Sequence, residues 1–412
     1  MSAKPRVRIL NLLKILRLRL LIFDPKKRRL ASAITINDLR TIARKRTPNV
    51  LFDYVDGAAE DEVSLTRARQ SFLDIEFKPH VLRDVSATSL ITEMCGQRYS
   101  LPLGIAPVGF ARMIQTEGEV AGASIAKCKG MPFALSTMGT TTIEKVAQVA
   151  PHASNWFQLY LFRDRERSLE LINRAAKAGF KGLILTVDAQ VAGARLRDVR
   201  NSLTFPTSLT GKMLIEAAPK VSWWWNFLTK EPLVIGSFDS SDGAIAEMVN
   251  TMVDPTMTLK DLHWIRKVWD GNLLVKGVQR VDDAIEIAKC GVEGIWLSNH
   301  GGRQLDRAPI PLHLIAPVRK EIGKRVEIHV DTGIMHGADV IASLAKGANF
   351  TWIGRAYMYG LMAGGSGGVA RAIEILETQM IRTMKLLGVS ALSELTPDLV
   401  DTGLGKSRVE TK

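Results

Sequence analysis

The residues best suited to acid–base chemistry lie in one string, Ser-Asn-His-Gly-Gly-Arg-Gln-Leu-Asp, at positions 298–306. His300 has the side chain whose pKa best suits proton removal near neutral pH. Arg303, one short turn later, can bind a carboxylate through two parallel hydrogen bonds. The two glycines between them allow the backbone to pass close to a flat ligand. Together, His300 and Arg303 could hold an anionic acid and take its proton, although a single histidine before two glycines is more often structural.

Further polar residues end short β-branched runs, which alternate with longer helical patterns from about residue 100, as in parallel β–α–β units. In a (β/α)8 barrel the carboxyl ends of the strands face the active site. Turns are polar in any fold, but the number and variety of these residues, among them Lys276, Asp188 and Asp331, favour the barrel. The sequence therefore predicts an α/β fold, a (β/α)8 TIM barrel, with strands at 103–107, 133–136, 156–160, 183–188, 273–276, 294–298, 327–331 and 350–354.

Two segments fall outside this alternation. A helix predicted over Ile36–Arg46, introduced by Thr35 and Asn37, leads into a region that we expect to cap the barrel, so that residues 31–400 form one domain. The connection after the fourth strand has 84 residues, 189–272, where an ordinary crossover needs only a dozen or two. Its last part, 259–269, can be the ordinary helix. Residues 197–255 are therefore predicted to be an insertion.

Three adjacent tryptophans, Trp223 to Trp225, mark this insertion. They cannot all face one core, and tryptophan is favoured at the membrane interface. The insertion is therefore a candidate membrane-facing patch. A subunit interface or a lid over the site would explain it equally well.

The positive charge of the chain is concentrated at its beginning. The net charge is +13, and residues 1–30 contain ten basic residues and one acidic residue. The remaining body has no basic stripe with interleaved aromatics, which argues against a nucleic-acid partner. The tail 1–30 lacks the ~18 to 20 uninterrupted apolar residues of a spanning helix. It is either a basic amphipathic segment on an anionic membrane or a solvated tail, and residues 401–412 form a second tail.

The cysteines indicate the compartment. Cys95, Cys128 and Cys290 are widely spaced and odd in number. They indicate neither a disulfide framework nor a zinc site, and no metal is predicted. A reducing cytosolic compartment fits best.

The string at 298–306 resembles the signature of the FMN-dependent 2-hydroxy acid dehydrogenases and oxidases, and the resemblance extends from about residue 35 to 398. It implies FMN as cofactor, His300 as catalytic base and Arg303 as a ligand of the substrate carboxylate. Asp188 would orient the histidine and stabilise its protonated form. A buried carboxylate in that position would also raise the basicity of His300.

The resemblance also assigns the other strand-end residues. Arg195 matches the second substrate arginine, and Tyr54 and Tyr160 match the two tyrosines that hydrogen-bond the substrate, with Tyr160 close to the catalytic group. Lys276 would lie beside the flavin N1 and O2, where its charge stabilises a reduced flavin. The remaining implied flavin contacts are Pro107, Val108, Gly109, Ser136, Gln158, Thr186 and Ser298.

The expected phosphate site follows the last two strands, where barrels commonly bind phosphate. The resemblance places Asp331, Gly333, Gly354 and Arg355 there. The sequence departs from the family at Met335, where most relatives have arginine, so one charged phosphate contact is missing and FMN binding is expected to be looser.

The resemblance implies oxidation of an L-2-hydroxy acid. Met138 lies where glycolate oxidases have a large aromatic, which leaves room for a methyl group or more and suits lactate. The basic tail and the tryptophans favour a membrane quinone as electron acceptor, and Gly109 is typical of the dehydrogenase branch. We therefore expect peripheral association with the cytoplasmic face of the cell membrane, and a homo-oligomer, since relatives commonly form tetramers. An oxygen-dependent oxidase and a flavin-dependent peptide-modifying enzyme are the alternatives.

Overall fold

Eight parallel strands close into a barrel in the computed structural model, which describes residues 23–203, 215, 217–230, 236 and 254–401. Each strand pairs with the next one along the chain, and the last strand pairs with the first. The predicted α/β barrel is confirmed, and every predicted strand is present with its ends shifted by at most two residues. The strands are β1 (Leu103–Ile105), β2 (Phe133–Ser136), β3 (Asn155–Leu159), β4 (Gly182–Thr186), β5 (Asn272–Val278), β6 (Gly294–Leu297), β7 (Glu327–Val330) and β8 (Phe350–Ile353).

Helices surround the barrel and cover its carboxyl end. The predicted helix Ile36–Arg46 has the expected bounds, because Thr35 and Asp38 form a reciprocal capping box at its start. The helices are α1 (Pro25–Ser32), α2 (Ile36–Arg46), α3 (Asn49–Asp56), α4 (Val63–Leu73), α5 (Ala111–Ile114), α6 (Gly118–Cys128), α7 (Ile143–Val149), α8 (Arg165–Lys177), α9 (Leu196–Arg200), α10 (Val221–Thr229), α11 (Leu259–Val268), α12 (Val281–Ala288), α13 (Pro311–Ile322), α14 (Gly337–Ala345) and α15 (Arg355–Leu387).

Large aromatic side chains fill the interior of the barrel. Trp156, Trp296 and Trp352 are fully buried there, and the rings of Trp296 and Trp352 stack with centroids 4.5 Å apart. A hairpin of two short strands, Thr92–Met94 and Gln97–Tyr99, places Met94 and Tyr99 in the same cluster. The hairpin and the tryptophans close the amino end of the barrel, so a ligand has room only at the carboxyl end.

A Cys–Glu–His group lies beside this hairpin. The ligand atoms of Cys95, Glu327 and His329 lie within 4.8 Å of one another. The indole N–H of Trp352 donates to Nδ1 of His329 over 3.0 Å, so the ring proton must be on Nε2, which lies 3.1 Å from Glu327 Oε2. A metal ion at Nε2 would have to displace that proton. The group is therefore a hydrogen-bonded part of the barrel floor.

The cap consists of α2, α3 and α4. Helix α2 packs against the long helix α15. The start of α4 is fixed to the string at 298–306, because Asp306 accepts hydrogen bonds from the backbone N–H of Val63 (3.2 Å) and Ser64 (2.7 Å). A carboxylate at a helix N-terminus satisfies otherwise unpaired N–H groups. This contact joins the cap to the loop that carries His300.

The described part of the insertion contains two helices, α9 and α10. Trp223 and Trp224 face the protein, since their indole N–H groups donate to the carbonyls of Ile114 (3.0 Å) and Ala217 (2.9 Å). Trp225 is 71% exposed. Within the described residues, none of the helices combines the length and the apolar character needed to cross a bilayer. The predictions for residues 1–22, for the rest of the insertion and for 402–412 lie outside the described residues.

Candidate active site

The carboxyl ends of the strands surround a cavity of about 990 Å³ between the barrel and the cap. Four of the predicted site residues lie behind its wall and are buried: Gln158, Thr186, Ser298 and the side chain of Asp188. The others line the cavity: Tyr54, Pro107, Val108, Gly109, Ser136, Tyr160, Arg195, Lys276, His300, Arg303, Asp331, Gly333, Gly354 and Arg355.

His300 is held between an acid and a phenol. Its Nδ1 lies 3.1 Å from Oδ1 of the buried Asp188, and its Nε2 lies 3.4 Å from the hydroxyl of Tyr160. Burial raises the pKa of Asp188, but the nearby His300 and Lys276 more than offset this and lower it, so the carboxylate accepts from Nδ1–H. Burial lowers the pKa of His300 below its usual 6.5, against the opposing effect of Asp188. The imidazole is therefore neutral at pH 7 with a free lone pair on Nε2.

Two half-buried arginines are bound by the carboxyl end of α3. Arg303 Nη1 donates to the carbonyls of Tyr54 (2.5 Å) and Gly57 (3.2 Å). Arg355 donates to Val55 (3.1 Å), Gly57 (2.7 Å) and Gly301 (2.9 Å). The last carbonyls of a helix lack intrahelical partners and carry partial negative charge. They therefore stabilise both guanidinium groups, and Arg303 remains charged although burial lowers its pKa to about 10.

Arg303 and Arg195 approach the same aromatic ring. Their guanidinium carbons lie 4.7 and 5.9 Å from the centre of the Tyr54 ring. Arg195 immediately precedes α9 and forms an ion pair with Asp198 at 3.7 Å. Nη1 of Arg303 makes the hydrogen bonds to the carbonyls at the carboxyl end of α3, and a guanidinium has further N–H groups with which to bind a ligand. Two arginines and His300 in one cavity suit a small anionic acid.

The strand ends of β3, β4 and β5 leave polar groups beside the cavity with which a further group in it could pair. Two buried polar atoms there, Nε2 of Gln158 and Oγ1 of Thr186, have no hydrogen-bond partner in the described structure. Buried polar atoms are rarely left unpaired. Lys276 lies nearby, with its Nζ 3.1 Å from Ser298 Oγ and 3.6 Å from Asp331 Oδ2. A flat ring that offers both acceptors and donors, such as an isoalloxazine, fits these residues.

The loop after β7 forms the expected phosphate end of the cavity. Thr332 and Gly333 have positive φ angles, 69° and 88°, and Met335 lines the cavity as predicted. Arg69 from α4 contacts this loop: its Nη1 donates to the Gly333 carbonyl over 2.7 Å and pairs with Asp339 at 2.5 Å. A guanidinium from the cap therefore lies close to the place where relatives supply an arginine from the loop.

Three of the lining residues missed from sequence are charged and link the cap to the barrel. They are Arg69, Asp56 and Arg197, of which Arg197 pairs with Asp56 (3.1 Å) and Glu62 (2.5 Å). The Arg-x-Arg-Asp pattern at 195–198 was the available signal, because alternating charges after a strand indicate an ion-pair network. The partners on α3 and α4 could not be inferred from one sequence.

This combination of a closed barrel, a histidine–carboxylate pair, paired arginines and unpaired polar strand ends defines a flavin-dependent enzyme that acts on an anionic acid. A family model described as FMN-dependent dehydrogenase matches residues 43–402. The chain belongs to this family, and FMN is its cofactor. The sequence-based assignment to the FMN-dependent 2-hydroxy acid dehydrogenases is confirmed.

Individual relatives agree with this assignment. The chain is 54% identical over 393 residues to a putative L-lactate dehydrogenase of Mycobacterium tuberculosis, a match that covers 95% of this chain and 94% of the relative. It is 36% identical to an L-lactate dehydrogenase of Vibrio cholerae, over 88% of this chain and 97% of the relative. Among solved structures, monotopic membrane protein (S)-mandelate dehydrogenase superposes with a TM-score of 0.86 at 34% identity, over 90% of this chain and all of that one.

The unpaired hydroxyl of Thr186 provides a test of the cofactor contact. In Thr186→Val, we expect the dissociation constant of FMN, measured by flavin fluorescence quenching, to rise roughly 5- to 10-fold, because a lost hydrogen bond costs about 1 kcal/mol. The thermal stability of the apoprotein should stay equal or increase, since the substitution removes an unpaired polar atom. A variant with unchanged FMN affinity would show that Thr186 does not contact the flavin.

Proposed function

We propose that this protein oxidises an L-2-hydroxy acid, with L-lactate as the leading substrate, and passes the electrons to a membrane quinone. The observation that carries the proposal is the position of His300 Nε2, which lies beside Tyr160 in a cavity that the arginine pair on Tyr54 also lines. This arrangement can bind a carboxylate at one end and accept a proton at the other.

Each residue has one physical task in this reaction. Arg195 and Arg303 bind the substrate carboxylate, and the hydroxyls of Tyr54 and Tyr160 hydrogen-bond the substrate. Nε2 of His300 accepts the proton, and Asp188 stabilises the resulting imidazolium. FMN supplies the two-electron acceptor when bound, and Gln158, Thr186, Ser136 and Lys276 are placed to hold its ring. Gly333, Gly354 and Arg355 are placed to hold its phosphate.

The size of the cavity near the histidine favours lactate and permits larger acids. Met138, Val191 and Ala192 line this part, and methionine adapts its shape to what it contacts. The relatives named above include L-lactate dehydrogenases and an (S)-mandelate dehydrogenase. We therefore expect a small apolar substituent such as the methyl group of lactate, and a flexible Met138 permits larger ones.

Gly109 supports the dehydrogenase interpretation. A Cβ atom at this position would lie 2.7 Å from Cβ of Met138, closer than real Cβ contacts allow. Glycine therefore lets the loop after β1 approach the loop after β2 at the cavity wall. An oxygen-dependent oxidase stays the alternative, and a peptide-modifying enzyme would need a substrate other than a free 2-hydroxy acid.

The proposed reaction is tested by bleaching of the bound flavin under anaerobic conditions across L-lactate, glycolate, L-mandelate and longer 2-hydroxy acids. We expect L-lactate to bleach fastest, and His300→Gln to retain yellow FMN but bleach at least roughly 10²-fold more slowly. Rapid bleaching of that variant would remove His300 as the base. No bleaching by any acid would favour the peptide substrate. Hydrogen peroxide yield with and without a quinone analogue separates quinone from oxygen as acceptor.

The pH dependence of flavin reduction tests the histidine–carboxylate pair. Protonated His300 cannot accept a proton, so the rate should fall as the pH decreases through the pKa of His300. In Asp188→Asn the raising effect of Asp188 is lost, so this acid limb should move to lower pH. The maximal rate should fall roughly 10²- to 10⁴-fold, because the imidazolium is no longer stabilised. An acid limb at the same pH in both proteins would contradict the pairing.

The outward face of α10 is the proposed membrane contact. Val221, Trp225 and Leu228, spaced as one helical face, are 71%, 71% and 73% exposed. Lys220 fixes the helix to the end of α2 by donating to the carbonyls of Arg44 and Lys45, whose side chains are exposed. An apolar face beside basic side chains suits an anionic lipid surface. We further expect the protein to lie on the cytoplasmic face of the membrane as a homo-oligomer.

Vesicle binding tests this contact. For Trp225→Glu we expect at least ~10-fold weaker binding to vesicles that contain phosphatidylglycerol, measured in high salt. The salt screens the charge of the basic tail, so that binding depends mainly on the insertion of apolar side chains. Burial of one large apolar side chain is worth roughly 1.5–3 kcal/mol. Leu386→Glu is the matched control, because Leu386 is equally exposed on α15. Equal binding of both variants and the unchanged protein would exclude α10 from the contact.

A further inference from the structure

We propose that Asp198 is a positioning residue that holds Arg195 in the substrate-free site and exchanges this ion pair for the substrate carboxylate. The inference rests on the proposed function, since it assigns Asp198 a part in binding that substrate. It concerns one short helix, α9, which begins directly after Arg195.

The geometry of α9 places the acid and the arginine together. Asp198 follows Arg195 by one helical turn, and its Oδ2 lies 3.7 Å from Nε of Arg195. The side chain of Asp198 is only 14% exposed and that of Arg195 30%. At 3.7 Å the two groups attract as charges without a hydrogen bond. This contact is therefore strong enough to orient Arg195 and weak enough to be replaced by a bidentate carboxylate.

The other charges of this cluster have separate partners. Arg197 is bound by Asp56 and Glu62, and Arg303 by the carbonyls of α3. Asp53 accepts a hydrogen bond from Asn201 over 2.8 Å. Among the described residues, Asp198 is the acid found in an ion pair with Arg195. A substrate carboxylate that binds Arg195 therefore comes close to the charge of Asp198.

This proximity makes Asp198 a competitor of the substrate. Burial raises the pKa of Asp198, and Asp53 adds to this, whereas Arg303, Arg195 and Arg197 oppose it. When it is ionised and paired with Arg195, Asp198 repels an incoming carboxylate. Removing its charge with the shape retained should therefore strengthen anion binding, which a purely structural residue would not do.

The probe for the experiment is trifluoroacetate, a carboxylate that stays ionised and has no hydroxyl to oxidise. Its dissociation constant is measured in the FMN-loaded protein by perturbation of the flavin spectrum. For Asp198→Asn we expect a value roughly 3- to 10-fold lower than in the unchanged protein, as expected for a partly screened repulsion. The KM for L-lactate should fall by a similar factor, with kcat changed less than KM.

Three controls make the result specific. In the Arg195→Met background, Asp198→Asn should change the dissociation constant of trifluoroacetate by less than roughly 2-fold. The four proteins form a double-mutant cycle, which isolates the interaction between Arg195 and Asp198. Asp53→Asn removes a neighbouring charge that does not contact Arg195 and should have no comparable effect. Asp198→Glu, which restores the charge, should return the constant toward that of the unchanged protein.

The outcomes are decisive in both directions. Unchanged or weaker trifluoroacetate binding in Asp198→Asn, or an equal effect of Asp53→Asn, would overturn the proposal. If the asparagine variant does not fold, Asp198→Ser takes its place with the same expectation. A failure of the proposed function is distinguishable from a failure of this proposal. In the first case none of the 2-hydroxy acids would bleach the flavin, whereas the trifluoroacetate titration needs no turnover.

Discussion

The binding of Arg303 and Arg355 by the carboxyl end of α3 is the contact on which the rest of the site depends. Three backbone carbonyls, those of Tyr54, Val55 and Gly57, accept from the guanidinium groups of residues that follow two different barrel strands. Leaving a buried charge unpaired costs roughly 3–5 kcal/mol. The backbone thus stabilises two cations through carbonyl groups, whose partial charge competes less with an anionic ligand than a full carboxylate charge would.

The same contact fixes the geometry of the cavity. Helix α3 is tied to the barrel through these arginines, and α4 is tied to it through Asp306. The cap therefore cannot move away without breaking several charged hydrogen bonds at once. As a result Tyr54 of α3 and Arg303 of the barrel keep a fixed separation, and the carboxylate end and the proton-accepting end of the site stay in register.

Much of this arrangement was predictable from sequence, and the reason lies in the strands. Barrel strands buried on both faces appear as short continuous apolar runs, so all eight were found, and a polar residue after such a run must point toward the carboxyl end. His300, Lys276 and Asp331 followed from that rule together with the family resemblance. The contacts of the cap could not be predicted from that rule. Any residue type has a backbone carbonyl, so such contacts cannot be recognised in a sequence, and Arg69 contacts Asp339 across 270 residues of chain. Met335 illustrates the difference: sequence showed the missing arginine, and only the structure showed a guanidinium nearby.

The closed floor of the barrel has a consequence for kinetics. The hairpin with Met94 and Tyr99 and the stacked tryptophans fill the amino end, so the acid and the electron acceptor must approach from the same side. If the acid and the electron acceptor bind at overlapping positions, the second can bind only after the first has left. For the proposed reaction we therefore expect two half-reactions that alternate in a ping-pong sequence, and inhibition when an excess of one reactant occupies the enzyme form that should bind the other.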